Sequence, residues 1–384
     1  MKLFVVLSRF PYPLEKGDKL RAYYQLKELA KSHQIYLNCL TDQTVKDEWV
    51  KEIESFCEKV TIYPLSKVLI YWNTAKQVFT NKPFQIGYFY QNKIQKRIHK
   101  EINDIQPDHI YCQLIRTAEY VKDIHNVPKT IDYMDALSKG MLRRSEIKKG
   151  LKAKLYKIEG KRLSEYENRI FDYFNHHTII SKQDRDLISH PEKEKIEIIE
   201  NGISDDFFNY SSKSEKSHDL VFIGNMNYPP NIECSEFIGE QLSPELSELK
   251  FMISGASPHQ KIIDLKKIEN ITVTGWVDDI KESYASGKIF LAPLFIGTGL
   301  QNKLLEAMAM GLPVITTPLA NNALNAKPNE QILIASTKEE FVEHINALLS
   351  NQDLYCKISK AGQAHVKSRF SWTQSVQKLE LLMS

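Results

Sequence analysis

The fold of this chain is most strongly constrained by a repeated alternation of short apolar runs and longer amphipathic runs. The first apolar run, LFVVL at residues 3–7, is followed by a loop and then by a helical pattern from Leu20 to Lys31. Such alternation is typical of a parallel sheet covered by helices on both faces. The predicted strands lie at residues 3–7, 35–40, 59–65, 109–114, 129–134, 177–182, 220–225, 249–255, 271–276, 288–294 and 312–317.

A polar stretch, NYSSKSEKSHD at residues 209–219, interrupts this alternation and divides it into two halves. It is rich in Ser and Lys and has no apolar periodicity, as expected of a linker. The chain of 384 residues also exceeds the ~250–300 residues at which a single core stops growing. We therefore predict an α/β protein with two Rossmann-like domains, 1–212 and 213–368. The amphipathic segment 369–384 can pack on either domain, and we expect it on the N-terminal one.

Composition excludes several classes of protein. Lys and Arg number 51 and Asp and Glu 48, and the resulting net charge of +3 argues against a globally basic nucleic-acid-binding protein. The five cysteines are an odd number and none forms a CxxC pair, which argues against a disulfide framework or a structural zinc site. The first apolar run is too short for a secretory signal, and no run reaches about 18 apolar residues. We expect a cytoplasmic protein without a metal site.

The strongest local motif is FIGTGLQNKLLEAMAM at residues 295–310. Its glycines predict a turn, and a helix begins near Asn302, where free amides and the positive end of the helix dipole can hold a phosphate. Lys303 in the first turn opposes that dipole, and a bound anion would remove the penalty. Glu306 lies on the same helix face, where sugar or ribose hydroxyls are suitable partners for its carboxylate. An ordinary Lys–Glu surface pair on a crossover helix is the alternative.

Residues 298–315 resemble the donor-binding signature of the family-4 retaining glycosyltransferases, which have the GT-B fold. Other segments agree with that family in the expected order: the first loop with Gly17, IIENGISDDFF at 198–208, VFIGNMNYPPN at 221–231, VTGWVDDIKESYASGKIFLAPL at 273–294 and the closing FSWTQ helix. KGDKLR at 16–21 and DYMDALS at 132–138 look closest to sugar transferases of surface-polysaccharide and exopolysaccharide clusters. The resemblance covers essentially the whole chain and implies a cleft between two Rossmann-like domains.

The resemblance implies a metal-independent, retaining transferase that moves a hexosyl or related sugar from a nucleotide-diphosphate sugar to a hydroxyl acceptor. It implies no cofactor beyond that donor substrate, and a role in cell-surface polysaccharide or glycolipid biosynthesis. The donor would bind mainly on the C-terminal domain, and a sugar or lipid-linked glycan acceptor mainly on the N-terminal domain. A non-catalytic nucleotide-sugar-binding or scaffold protein is the alternative, because two features of the family are missing. A sugar-nucleotide epimerase shares the fold, but the sequence offers no convincing acid–base set for it.

The missing features emerge when the family's residues are placed on this sequence. Glu306 matches the second of two glutamates, the one that hydrogen-bonds the donor ribose, but the first position is Thr298. The Arg and Lys that clamp the diphosphate are absent from the loop GNMNYPPNIE. Lys303 is one substitute, and Lys19 and Arg21 are others unless they form a solvated helix start. The remaining donor-binding candidates are Gly17, Asn201, Gly202, Gly224, Asn225, Gly255, Trp276, Val277, Gly297, Gly299 and Leu304.

Asp132 and Asp135 are the catalytic candidates. Many members of the family have a His near this position, close to the transferred sugar, and an Asp there can accept a hydrogen bond from a sugar or acceptor hydroxyl. Asp135 can instead cap the helix that follows it. Three donor-binding candidates also have structural alternatives, because Asn201-Gly202 suits a tight turn and Trp276 suits the core.

The segment 139–162 is strongly basic, with ten Lys or Arg residues against two Glu. Apolar residues are interleaved with the charges, as in helices that lie on an anionic membrane surface. Such a surface would suit a lipid-linked acceptor and a peripheral position on the inner face of the plasma membrane. A solvated charged face is the alternative. Nucleic acid is not an expected partner, because no aromatic stacking platform accompanies the charge.

Overall fold

The computed structural model of the chain describes residues 1–147, 149–211, 216–297 and 299–384. These residues form two compact units. The first unit comprises Met1–Glu200 together with Trp372–Ser384, and the second comprises Asn201–Ser371. Each unit contains its own parallel sheet flanked by helices, which confirms the predicted α/β architecture of two Rossmann-like domains.

The sheet of the first unit is formed by short apolar strands that run parallel to their neighbours. Its strands are β1 (Lys2–Leu7), β2 (Gln34–Thr41), β3 (Lys59–Pro64), β4 (His109–Gln113), β5 (Lys129–Asp132), β6 (His176–Ile179) and β7 (Glu197–Ile198). The order across the sheet is β3-β2-β1-β4-β5-β6-β7. The strand order changes direction between β1 and β4, and in such sheets ligands bind beyond the carboxyl ends at this switch point.

The second sheet repeats the same design. Its strands are β8 (His218–Ile223), β9 (Phe251–Ser254), β10 (Ile271–Val273), β11 (Gly287–Ala292), β12 (Val314–Thr316) and β13 (Leu333–Ile334). They run parallel in the order β10-β9-β8-β11-β12-β13. The switch point of this sheet therefore lies between β8 and β11.

Side chains of β1 show why these runs form buried strands. Successive side chains of a strand point to opposite faces of the sheet. Phe4 and Val6 accordingly belong to one apolar core, and Leu3, Val5 and Leu7 belong to the core on the other face. A strand covered on both faces must be apolar throughout, which is the pattern that the sequence predicts.

Helices cover both sheets. Those of the first unit are α1 (Gly17–Leu29), α2 (Asp47–Glu54), α3 (Lys67–Lys76), α4 (Phe84–Phe89), α5 (Asn92–Ile105), α6 (Leu137–Ile147), α7 (Gly150–Phe171) and α8 (Lys182–Leu187). Those of the second unit are α9 (Asp205–Phe208), α10 (Pro229–Phe237), α11 (Gln260–Asp264), α12 (Ile280–Ala285), α13 (Asn302–Ala309), α14 (Pro318–Leu324), α15 (Lys338–Ser350) and α16 (Gln352–Arg369). None of the helices within the described ranges is both long enough and apolar enough to span a lipid bilayer.

The last helix, α17 (Trp372–Met383), belongs to the first unit. Its residues Val376, Leu379 and Met383 join the apolar core that contains the buried face of α1. The Trp372 ring stacks on Tyr24 of α1, with ring centroids 5.2 Å apart. The first unit is thus completed by residues that follow the whole second unit in sequence.

The division between the units lies at Glu200–Asn201, earlier than the predicted 212–213. The backbone N–H of Ile203 donates to the Phe370 carbonyl at 2.9 Å, and Phe207 packs against the core of the second unit. These contacts attach the residues just before the predicted linker to the second unit. Within the predicted linker, residues 212–215 lie outside the described part of the chain.

Candidate functional site

The carboxyl ends of β8 and β9 lie in direct backbone contact. A Cβ atom added to Gly255 would lie 1.7 Å from the Gly224 carbonyl oxygen, and Gly255 has a φ of 144°. A Cβ added to Gly224 would lie 2.6 Å from Nδ2 of Asn231. Only glycine fits at Gly255, because a side chain would collide with the neighbouring backbone and strain its own. The predicted glycines therefore have a packing role at this edge of the sheet.

Lys303 lies at this edge, in the first turn of α13. Its Nζ donates to Oδ1 of Asn231 at 2.5 Å and lies 5.4 Å from the centroid of the Phe222 ring. The side chain is only partly exposed, and desolvation lowers its pKa to about 8. Gln301, which precedes α13, makes no side-chain capping hydrogen bond. The helix start therefore combines an end that lacks a side-chain cap with a cation that burial disfavours, and a bound anion would stabilise that cation.

Glu306 is one turn further along the same helix and is also partly exposed. Its Oε2 accepts a hydrogen bond from the buried Tyr284 hydroxyl at 2.6 Å. Desolvation raises the pKa of Glu306, and the Tyr284 hydrogen bond and the Lys303 charge oppose that shift. Since Lys303 bonds to Asn231 and Glu306 to Tyr284, the two side chains are not the exposed Lys–Glu surface pair that was the alternative. Both are oriented by other residues, as ligand-binding side chains usually are.

Asn231 is a residue of this cluster that sequence reasoning missed. It is buried, its Oδ1 accepts from Lys303, and its Nδ2 donates to the Asn225 carbonyl at 2.8 Å. Its signal in the sequence is the preceding Pro229-Pro230, because proline favours the first turn of a helix and so predicts a helix start at α10. The loop that lacks the family's Arg and Lys thus contributes an amide that positions Lys303.

Other donor-binding candidates lie at the start of α13 or in the turn that precedes it. Nδ2 of Asn201 donates to Oδ1 of Asn302 at 3.3 Å, which brings the Asn201-Gly202 segment to the start of α13. Gly297 and Gly299 have φ values of 116° and 76°, as a glycine turn requires. Thr298, between them, lies outside the described residues.

The structure also shows the surroundings of four further donor-binding candidates. The Leu304 side chain is buried in the core and its N–H donates to the Gln301 carbonyl at 2.9 Å, so neither is presented to a ligand. Trp276 is 63% exposed, so its alternative as a core residue is wrong. Val277 lines a recess of about 550 Å³ whose walls include Asp279 and Glu282. The Asn225 side chain accepts a hydrogen bond from the N–H of Asn227 and so shapes the local turn.

In the first unit, Arg21 and Asp132 form a buried ion pair. Both side chains are 0% exposed, and Nε of Arg21 lies 2.6 Å from Oδ2 of Asp132. Nη1 of Arg21 also donates to the Ile199 carbonyl at 2.7 Å. Burial alone would lower the pKa of Arg21, but the Asp132 carboxylate reverses this and raises it.

The remaining hydrogen-bond capacity of Asp132 is also used. It accepts from the hydroxyls of Tyr111 and Thr178 and from the N–H of Met134, at 3.2, 3.0 and 3.2 Å. The predicted ligand contacts of Asp132 and Arg21 are therefore corrected, because the two side chains are enclosed and saturated by each other and by the sheet. Lys19 is likewise buried and bonded to Glu15 at 2.9 Å, so it is not a free phosphate-binding cation.

Asp135 is open to a ligand. It lines a recess of about 720 Å³ in the first unit, together with Gly17 and Arg116. Asp135 is exposed, and desolvation together with the nearby Asp184 carboxylate raises its pKa to about 6. Of the two catalytic candidates, only Asp135 can contact a ligand in this conformation. Within the described ranges, no group of three His, Cys, Asp or Glu side chains is arranged to hold a metal ion.

Comparison with known proteins agrees with this architecture. Residues 217–351 match the family model described as glycosyl transferases group 1. The chain is 23% identical over 368 residues to an uncharacterized 44.6 kDa protein in the cps region of Klebsiella pneumoniae, with 90% of each chain covered. It is also similar in structure to Anabaena HepE in complex with UDP and glucose, with a TM-score of 0.71, 14% identity and 99% of each chain covered.

A second structural neighbour is a mutant of S. aureus TarM in complex with Fondaparinux, alpha-GlcNAc-glycerol and UDP. Its TM-score is 0.69 at 12% identity, with 100% of each chain covered. At such low identity these structures establish the fold, which is GT-B. The family match lies in the second unit and includes α13 with Lys303 and Glu306. Together the findings confirm the resemblance to the family-4 type of GT-B glycosyltransferase.

Proposed function

We propose that the protein is a retaining glycosyltransferase that moves a hexosyl or related sugar from a nucleotide-diphosphate sugar to a hydroxyl acceptor in cell-surface polysaccharide or glycolipid biosynthesis. The observation that carries the proposal is the start of α13, where Lys303 and Glu306 are partly buried beside an uncapped helix end. Two further findings support it. HepE was solved with UDP-glucose, and the Klebsiella relative comes from a cps region.

The second unit would bind the nucleotide sugar. Lys303, the backbone amides at the start of α13 and the helix dipole supply positive charge for the diphosphate, so we propose a reaction that needs no metal ion. Glu306 accepts hydrogen bonds from the ribose hydroxyls, while the Tyr284 hydroxyl keeps its carboxylate in one orientation. Asn231 does the same for the Lys303 ammonium group. These roles rest on groups that are already held in place before a ligand binds.

In the proposed reaction, the bond between the anomeric carbon and the diphosphate oxygen breaks, and its electron pair leaves with the diphosphate. The acceptor oxygen bonds to the same face of that carbon, so the anomeric configuration is retained. The proton of the acceptor hydroxyl moves to the leaving phosphate oxygen. Lys303 stabilises the charge that develops on the leaving group. We assign to Asp135 a hydrogen bond with an acceptor hydroxyl.

The donor site is tested by Lys303→Met, with Lys338→Met as the matched control. Lys338 belongs to the same unit but is held at its surface by Glu245. We expect one nucleotide sugar in a panel of UDP- and GDP-sugars to raise the melting temperature of wild type and of the control. Lys303→Met should need roughly 10–100-fold more ligand, since a charge-assisted hydrogen bond contributes about 1.5–3 kcal/mol.

Transfer is then measured with cell-envelope lipid extracts as acceptors, and NMR of the product reads the anomeric configuration. A Lys303→Met protein that transfers sugar as fast as wild type would overturn the assigned phosphate role. An inverted product would refute the retaining mechanism. Donor binding without turnover on any acceptor would favour the non-catalytic alternative.

We further propose that the first unit docks on an anionic membrane surface through α3 and α7. Leu151, Leu155 and Ile158 are exposed along one face of α7, among the lysines of the basic segment 139–162. Lys148 of that segment lies outside the described residues. Exposed apolar side chains beside lysines are the composition of helices that lie in a membrane interface.

The apolar face continues onto the segment after α3. Nη1 of Arg162 in α7 donates at 2.7 Å to the carbonyl of Gln77, two residues before Phe79, which is 90% exposed. Tyr71 and Trp72 of α3 are also exposed. Aromatic rings of this kind favour the headgroup region of a bilayer. The exposed apolar area and the lysine charge thus both favour an anionic membrane surface as the partner.

Vesicle sedimentation tests this face. We expect the wild-type protein to sediment with phosphatidylglycerol vesicles and not with phosphatidylcholine vesicles, and Trp72→Ser/Phe79→Ser to reduce binding at least about fivefold, as loss of buried apolar area predicts. Leu381→Ser is the control, since Leu381 is an equally exposed apolar residue on α17. Equal loss of binding in both variants would contradict a specific membrane face.

A further inference from the structure

The 720 Å³ recess of the first unit lies at the carboxyl end of its sheet. Arg9 follows β1, Arg116 follows β4 and Asp135 follows β5, so the recess occupies the switch point where such sheets bind ligands. A smaller recess of about 280 Å³ shares Arg9, Phe84, Gln85 and Arg116 with it. The 720 Å³ of the larger recess lies within the range of about 300–1,000 Å³ that is usual for small-ligand sites.

Most acidic groups of the recess are already engaged. The Asp18 carboxylate pairs with Arg9. The Glu159 carboxylate accepts the backbone N–H groups of Phe84 and Gln85 at 2.7 and 3.0 Å, and so caps the start of α4. Asp135 remains, and its pKa is raised to about 6. Asp18 and Asp135 are near enough to favour the charge of Arg116, but no carboxylate of the described residues lies within 4 Å of its guanidinium group.

Arg116 is the exceptional cation of this recess. In the part of the chain that the structure describes, its guanidinium group forms no ion pair within 4 Å, and Nη1 is buried without a hydrogen-bond partner. Its Nε donates to Oε1 of Gln85 at 3.0 Å, and its Cζ lies 5.2 Å from the centroid of the Phe89 ring. Desolvation and the positive charge of Arg9 lower its pKa to about 10, although the Asp18 and Asp135 carboxylates oppose this shift.

Gln85 completes this cluster. Because its Oε1 accepts from Arg116, the group that it has left is the Nε2 amide, which is buried and unpartnered among the described residues. The unused polar groups of the cluster are therefore N–H donors next to a positive charge. A carboxylate or phosphate offers only acceptor oxygens and a compensating negative charge, so it satisfies both requirements together.

We infer that this recess binds an anionic group of the sugar acceptor, held by Arg116 and Gln85. The inference rests on the proposed transferase function and names the chemical class of its second substrate. The anion is either the carboxylate of a uronic acid in the glycan or the diphosphate of a lipid-linked acceptor. Apolar walls that include Leu114, Met141 and Tyr156 strengthen the attraction, because they keep water away from the guanidinium group.

Methionine methyl NMR tests the inference at the recess itself. Met134 and Met141 line the recess, whereas Met252 belongs to the second unit and serves as an internal control. The wild-type protein is titrated with methyl glucuronide, with inorganic pyrophosphate and with neutral methyl glucoside. We expect at least one anion to shift the Met134 and Met141 signals at concentrations about tenfold below those at which the glucoside acts.

Two variants keep the test independent of folding. Arg116→Met should abolish the anion-induced shifts, and Arg169→Met, an arginine outside this recess, should preserve them. Gln85→Glu supplies an internal carboxylate for Arg116, so the same shifts should disappear while the melting temperature is unchanged or raised. Anion-induced shifts that survive in both the Arg116 and Gln85 variants would overturn the inference.

The ligand arms separate the sources of the anion. Shifts with glucuronide identify a uronate, and shifts with pyrophosphate alone identify a lipid diphosphate. Equal response to methyl glucoside, or no response to either anion, overturns the inference. Nucleotide-sugar titrations of the same samples, read at Met308 on α13, report the donor site separately, so failure at one site is distinguished from failure at the other.

Discussion

The carboxyl ends of the two sheets are held together in opposite ways. In the first unit, the charged pair Arg21–Asp132 joins α1 to the end of β5 and is fully enclosed. In the second unit, the backbones at Gly224 and Gly255 touch directly, and the charged residues Lys303 and Glu306 stay partly exposed. Where charged side chains hold the strand ends, they are unavailable to a ligand. Where the backbone holds the strand ends, the charged side chains remain accessible to a ligand.

Removal of Arg21 should have the largest effect on the stability of the protein. Arg21→Met leaves the Asp132 carboxylate buried without its cation, and loss of one partner of a buried pair costs about 3–5 kcal/mol. Urea unfolding measures the loss, with Arg97→Met, over the ring of Tyr63, as a milder control. The double variant Arg21→Met/Asp132→Asn should regain part of that stability. A single variant as stable as wild type would show that this pair does not hold the edge of the sheet.

The second edge is tested at its backbone contact. Gly255→Ala introduces a Cβ atom 1.7 Å from a carbonyl oxygen at a φ of 144°. Strain and overpacking should destabilise the protein by about 2–5 kcal/mol. Gly275→Ala is the control, because it also has a positive φ but open space around its Cβ position. Similar losses in thermal unfolding would mean that backbone strain alone, and not the contact, matters at Gly255.

The smallest expected effect is a pH dependence of donor affinity, which tests whether the Lys303 charge of the second unit serves binding. Desolvation lowers the pKa of Lys303 to about 8, so the ammonium form that a diphosphate requires is lost from the free protein above that pH. Donor affinity should be constant below pH 8 and fall up to about tenfold per pH unit above it, since binding then requires uptake of a proton. Calorimetric titration from pH 6.5 to 9.5 measures this dependence. Lys303→Met should bind weakly at every pH.

The stability of the free protein should change in the opposite direction over the same range. The unfolded chain keeps the usual lysine pKa of 10.5 and therefore binds more protons than the folded protein between about pH 8 and 10.5. The contribution of Lys303 to the free energy of unfolding accordingly rises with pH in that window. A fall in donor affinity together with this rise would assign both to one buried ammonium group.

The sequence predicted the sheets well because their information is local. Eleven apolar runs gave strands, whereas β7 and β13 were missed because two-residue strands carry no readable pattern. The motif at α13 was also local, so Lys303 and Glu306 could be singled out from their spacing. The first turn of a helix and the residue one turn later share a face in any sequence.

The rest of the site depends on contacts between distant residues. Arg21 and Asp132 meet only after β5 has joined the sheet, so the sequence could not show that each neutralises the other. The same holds for Arg116 and Gln85, which lie in no recognisable motif and share a recess through the packing of α4 beside the segment after β4. Burial and pairing decide whether a charged residue stabilises the fold or can bind a ligand. Neither property can be read from the local spacing of residues in the sequence.

The return of α17 to the first unit has a consequence for synthesis of the protein. The apolar groove that receives Val376, Leu379 and Met383 stays uncovered while residues 201–371 are being made. At about 5–20 residues per second, that delay lasts roughly 10–35 s. The nascent first unit therefore keeps this apolar groove exposed until α17 emerges from the ribosome. The second unit can fold during that time. Ribosome-bound chains that stop before residue 372 should therefore be the most dependent on chaperones.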